Sequence, residues 1–197
     1  MILVRKPLTT KEKDILYKYS AYYRVLSEDH KAEFEKRLQR FLHSKQFISR
    51  SSQKVTVEMK VLISASAIQL TFGLKEIYLS NFDKILIYPD AYYSQITQKY
   101  HHGEVNPRAG IIILSWKNFV EGYADLTDNK NLGIHEMAHA LHFENRIRNS
   151  EYDFLDYELL EQLNYVTERE MQRIKETPNH FFRDYAATNA YEFFAVS

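Results

Sequence analysis

The chain has 197 residues, with 26 Lys plus Arg against 26 Asp plus Glu, a balance without basic blocks that argues against a nucleic-acid footprint. Its 45% hydrophobic and 14% aromatic content is globular rather than disordered. Cysteine is absent, which excludes disulfides, thiol nucleophiles and Cys-type zinc sites and suits a reducing compartment such as the cytoplasm.

From the start of the chain, Met1–Val4 is too short for a signal peptide. Ahead of Arg5-Lys6 it reads either as a plain start or as the stub of a longer apolar anchor segment. Thr9-Thr10-Lys11-Glu12 is a capping box that predicts a first helix. A second is expected after Ser27, where Phe34, Leu38 and Phe41 fall on one face. A third runs from about Thr56 to Gly73, with Gly suited to the position after its end. Its run Val61–Phe72 is interrupted by Ser and Gln, and it is too short for a membrane span, so it predicts a buried helix.

Strand signals follow. Asp83–Tyr88 is β-branched-rich and stops at Pro89, and Gly110–Trp116 is a second apolar run. The latter suits a sheet edge that pairs with an extended substrate and ordinary core equally well. Helices are expected over about Lys130–Arg148, Leu155–Glu176 and from Thr188 to the end, the second with Leu159, Leu160, Leu163 and Val166 on one side. With 5 Gly, 4 Pro, no linker and no repeat, the expectation is one α+β domain over 1–197, mainly helical with a small mixed sheet.

The fourth of these helices, about Lys130–Arg148, contains His135-Glu136-Met137-Ala138-His139. Residues four apart share a helix face, so His135 and His139 can ligate one Zn²⁺. Glu136 is turned roughly 100° around the axis. It can reach a water on the metal without being a ligand, the arrangement of two ligands plus a general base. Ile134, Ala138 and Leu141 form an apolar stripe that can anchor the helix, leaving the histidine face for metal. The bland alternative is a half-exposed helix with solvated histidines.

A catalytic zinc needs a third protein ligand and keeps one position open. The extended pattern H-E-x-x-H-x-x-G-x-x-H is excluded, because His142 and Asn145 stand where Gly and His are required. His142 reads as a residue that supports a ligand or is simply exposed. Glu158 and Glu161 on the next helix and Glu192 near the end remain candidates, and spacing does not choose among them.

The chain resembles the Mlc titration factor A-like zinc metallopeptidases. The resemblance rests on "HKAEFEKRLQRFL", "KILIYPDAYY" at 84–93, "GIIILSW" at 110–116, "NLGIHEMAHALHF" and the closing "DYAATNAYEFFAV" at 184–196. Met137 replaces the family's usual Phe, and Ala140-Leu141-His142 replaces its usual Lys-Leu-Asp. The resemblance implies a zincin-like fold and a gluzincin site similar to the protease domain of anthrax lethal factor. It implies zinc held by His135, His139 and Glu192, with Glu136 as base and Tyr185 over the site. It also implies peptide hydrolysis, aminopeptidase-like on short substrates, in the cytoplasm. Members continue past "EFFAV", so a chain ending at Ser197 reads as trimmed at its C-terminus, which keeps an upstream membrane anchor open.

The leading expectation is therefore a zinc peptidase acting on a peptide or protein substrate. The runner-up is a binding protein that sequesters a transcriptional regulator, with zinc structural or vestigial. Glu136 counts against the runner-up, because a purely structural zinc has no use for a base beside its ligands. A non-peptidase zinc hydrolase is the third reading.

Overall fold

The structure is a computed structural model that describes residues 7–75, 77–95, 97–124, 131–147, 157–176, 182 and 184–196. The described residues up to Met137 form one compact unit and those from Ala138 onward a second.

In the first unit, Thr9 caps α1 (Thr10–Tyr19) with the reciprocal Thr9–Glu12 bonds of a capping box. Ser20 caps a short α2 (Ala21–Val25) and Ser27 caps α3 (Glu28–Ser44). Phe34, Leu38 and Phe41 of α3 are fully buried, as their spacing requires. After β1 (Gln46–Ser49), Thr56 caps α4 (Val57–Thr71). From Val61 to Ile68 this helix is buried on every side, and it packs against α1 and α3. Its uniform apolarity reflects a core helix, and no described helix is long and apolar enough to cross a membrane.

Gly73 does follow the last residues of α4, but it does not make the left-handed turn that glycine usually supplies there. The buried Arg37 ends the helix instead. Its guanidinium donates to the carbonyl of the C-cap residue Phe72 at 2.8 Å and to that of Leu74, just beyond the helix, at 2.9 Å.

The rest of this unit is sheet, with α5 (Trp116–Ala124) at its end. Strands β1, β2 (Lys84–Tyr88), β5 (Gly103–Asn106) and β6 (Ile111–Ser115) lie in the order β1-β2-β6-β5. The first three are parallel and β5 is antiparallel to β6. A hairpin of β3 (Tyr92–Ser94) and β4 (Lys99–His101) leads into β5. One sheet face buries Ile85, Ile87, Ile112 and Leu114. The other face is half-buried and holds Leu86, Tyr88, Ile111 and Ile113. Strand β6 is therefore interior, which overturns the edge reading of the Ile111–Leu114 run: β5 is the edge on that side. Four short strands have no clear sequence signal, because half-buried strands such as "GEVN" lack an alternating apolar pattern.

Helix α6 (Leu132–Ile147) carries the histidine motif and contains the unit boundary, between Met137 and Ala138. In the second unit, α7 (Tyr157–Glu176), a 3₁₀ turn (Asp184–Ala187) and α8 (Ala190–Val196) pack on one another. Their core is Ile174, Ala186, Ala187 and Phe193, with Met171 and Phe182 against it. Of the apolar stripe expected on α7, Leu159 is 63% and Val166 40% exposed, Leu163 is half-buried and the Leu160 side chain lies outside the described ones, whereas Thr167 and Ile174 are buried. The neighbours settle this, since the 3₁₀ turn and α8 cover the Thr167–Met171–Ile174 side. Asn189, not Thr188, caps α8; its Oδ1 accepts from the Tyr191 N–H at 2.9 Å and the Glu192 N–H at 3.1 Å.

Candidate metal centre

Asn131 caps helix α6; its Oδ1 accepts from the Ile134 N–H at 2.9 Å and its carbonyl accepts the His135 N–H at 3.0 Å. Gly133 then allows the helix to come close to its neighbours. A Cβ there would lie 2.6 Å from Ser66 Oγ and 3.1 Å from Phe119 Cδ2. Met137, Ala138, Ala140 and Leu141 are buried, as are Glu136, Glu144 and Asn145. Ile134, expected in the anchoring stripe, is only half-buried. The helix is thus embedded on more than one side, which removes the half-exposed reading.

His135 and His139 are half-buried on one face, one turn apart. Together with Glu192 they form a group whose potential ligand atoms all lie within 4.8 Å of one another. His139 Nε2 stands 3.4 Å from Glu192 Oε2. Tetrahedral zinc with ligands at about 2.0–2.1 Å separates them by about 3.4 Å. Two imidazoles and one carboxylate, leaving one position open, are also the donor set of a catalytic rather than a structural zinc. The residues present fit the metal. Glu158 and Glu161 are exposed on α7 and take no part in this group.

Helix α8 presents Glu192 through an aromatic contact. The His142 ring lies edge-on to Tyr191 at 5.0 Å and to Phe194 at 5.2 Å. His142 is therefore half-buried packing, not a solvated side chain. Tyr185 lies on the 3₁₀ turn, seven residues before Glu192; its side chain is outside the described ones.

The surroundings of Glu136 come from parts of the sequence that carry no motif. Gly103 of β5 lies against its side chain, and a Cβ on Gly103 would be 2.5 Å from Glu136 Cδ and 2.6 Å from Cγ. Only a residue without a side chain allows the edge strand to pass over the glutamate. Beside it, Tyr92 is buried, stacked on Tyr88 at 4.6 Å, and donates a hydrogen bond to Glu104 Oε2 at 2.9 Å. Burial, with Glu104 and then Glu136 behind it, pushes the Tyr92 phenol well above its ordinary range, so it remains a proton donor. "YYSQ" and "HHGEV" lie far from the motif, and only the pairing of β5 with β6 brings them to it.

Similarity to known proteins agrees with this arrangement. The chain is 30% identical over 211 aligned positions to the uncharacterised protein slr2042 of Synechocystis sp., covering 98% of this chain and 76% of that protein. A family model described as glucose-regulated metallo-peptidase M90 matches residues 1–197. The match spans the whole chain, the histidine helix and closing glutamate segment included, and the protein belongs to the glucose-regulated metallo-peptidase M90 family.

Proposed function

We infer that the protein is a zinc-dependent peptidase with a zincin-like fold, working as a single functional domain with aminopeptidase-like action on short peptides in the cytoplasm. The observation that carries this reading is the convergence of His135, His139 and Glu192 beside a buried Glu136. Zinc, when bound, would supply Lewis acidity for the scissile carbonyl.

The chain's own residues have the following roles. His135, His139 and Glu192 would hold the metal. Glu136 takes the proton of the attacking water and returns it to the leaving amine. Burial under Gly103 limits its movement and keeps its carboxylate directed at the reacting atoms. Tyr185 donates a hydrogen bond to the oxygen on which negative charge develops.

The edge strand β5 receives the substrate backbone. The Ser115 N–H donates to the His102 carbonyl at 2.7 Å, so in the Gly103↔Leu114 register the hydrogen-bonded pairs are 102 with 115 and 104 with 113. The main-chain groups of Gly103 and Val105 then point away from β6, where an extended peptide can add as a further strand.

The deciding experiment is Glu136→Gln with metal analysis and a peptide-library cleavage assay. Zinc content should stay at one per chain while hydrolysis falls about 10³-fold. Undiminished turnover with zinc bound would remove Glu136 as the base, and a zinc-loaded wild type that cleaves no peptide would favour the regulator-binding reading instead.

A further inference from the structure

The half-buried face of the sheet carries a carboxylate that the reaction does not use. Glu104 follows Gly103 on β5, and alternation along the strand directs it away from Glu136, to the face of Ile113 and Tyr88. It is half-buried. It accepts a hydrogen bond from the Tyr92 phenol at 2.9 Å, a neutral donor. Among the described residues no Lys, Arg or His is paired with it. A partly desolvated carboxylate without a countercharge is unfavourable, and a cation placed there offsets that loss.

The strand register indicates where such a cation would come from. A peptide adding antiparallel to β5 hydrogen-bonds to Gly103 and Val105. Its residue opposite Glu104 then forms a non-hydrogen-bonded pair, the kind in which side chains approach most closely. That residue projects on the same face as Glu104, with Cβ atoms about 4.5–5.5 Å apart. The Tyr92 hydroxyl, 2.9 Å from Glu104 Oε2, holds the carboxylate in place.

We propose that Glu104, held by Tyr92, is a specificity-determining residue that selects peptide substrates with a lysine or arginine side chain at the position opposite it on β5. The inference rests on the peptidase reading and its edge-strand substrate. It adds a substrate class, peptides with a basic residue at one fixed position next to the site of cleavage.

The test uses the zinc-loaded full chain and peptides with free N-termini that vary one internal position at a time through Lys, Arg, Gln and Glu. The α-ammonium is the same in every peptide, so it cancels from the ratio read at the varied position. The wild type should prefer Lys or Arg over Gln about fivefold in kcat/KM at one position only, the upper range for a cross-strand charge pair. Glu104→Gln should bring that ratio near unity, and Glu104→Lys should invert it to favour Glu at the same position. Tyr92→Phe should weaken the preference without inverting it. Melting curves and zinc content establish that each variant is folded and loaded. Cleavage with no charge preference in the wild type, or a basic preference that survives Glu104→Lys, overturns the role of Glu104 and leaves the peptidase reading intact. A wild type that binds zinc and cleaves no peptide overturns the peptidase reading, and the assignment of Glu104 falls with it.

Discussion

Glu136 and Glu192 are both carboxylates brought near the histidines of α6, yet they are held by different means. Glu136 is enclosed: it is buried on a long, well-packed helix, with the backbone of β5 directly against its side chain. Glu192 is half-buried on a helix of seven residues. That helix depends on the Asn189 cap, the contact of His142 with Tyr191 and Phe194, and the small core around Phe193. A short helix has little stability of its own, so its position depends on that packing. The contrast suggests a division of labour. The proposed base is set by backbone geometry and tolerates almost no change nearby. The proposed third ligand is set by a few side-chain contacts, and its position can be loosened gradually.

The sharpest way to break the contrast is Gly103→Ala. The new Cβ would press on Cγ as well as on the carboxyl carbon, so rotating the carboxylate alone does not relieve it. Turnover should fall about 10³-fold, as for loss of a general base, with zinc content unchanged by metal analysis. If activity persists, Glu136 is not confined by β5.

Phe193→Ala tests the other side. Removing a buried aromatic from a cluster this small should cost about 3 kcal/mol of local packing. The expected readout is weaker zinc binding in a chelator competition, while the melting of residues up to Met137, followed by hydrogen exchange, is unchanged. Zinc affinity equal to wild type would mean that α8 is held by contacts other than this core.

Tyr185→Phe should lower kcat about 10²-fold with KM and zinc content nearly constant, because an oxyanion donor acts mainly in the transition state. A change confined to KM would make Tyr185 a substrate-holding residue. Zinc loss would make it part of the support for α8.

The smallest expected effect is at Gly133. Alanine is worth about 1 kcal/mol more than glycine in a helix interior, but its Cβ would crowd Ser66 and Phe119. Overpacking should outweigh propensity and leave Gly133→Ala about 1 kcal/mol less stable in denaturant unfolding. A stabilised variant would show that α6 has room to shift.

Much of this molecule was legible in the chain itself. The capping box at Thr9, the Ser27 and Thr56 caps and the 3.6-residue pattern of α3 are local physics, and the structure has each of them. The pairing of His135 and His139 is equally local, because helical periodicity alone puts them on one face. Residues distant in sequence were decided by tertiary structure. Spacing left Glu158, Glu161 and Glu192 open, and only the packing of α8 brings the Glu192 carboxylate beside His139. Which apolar run forms the sheet edge depends on strand order, a long-range property that put Ile111–Leu114 inside and the weakly patterned Gly103–Asn106 outside. The end of α4 was decided the same way, by an arginine 35 residues away in sequence from the carbonyl it binds. Gly103, Tyr92 and Glu104 have no motif that marks them, since a close approach of backbone to side chain is written in neither partner's sequence. Periodicity determines which residues share a face, whereas the pairing of elements determines what that face meets.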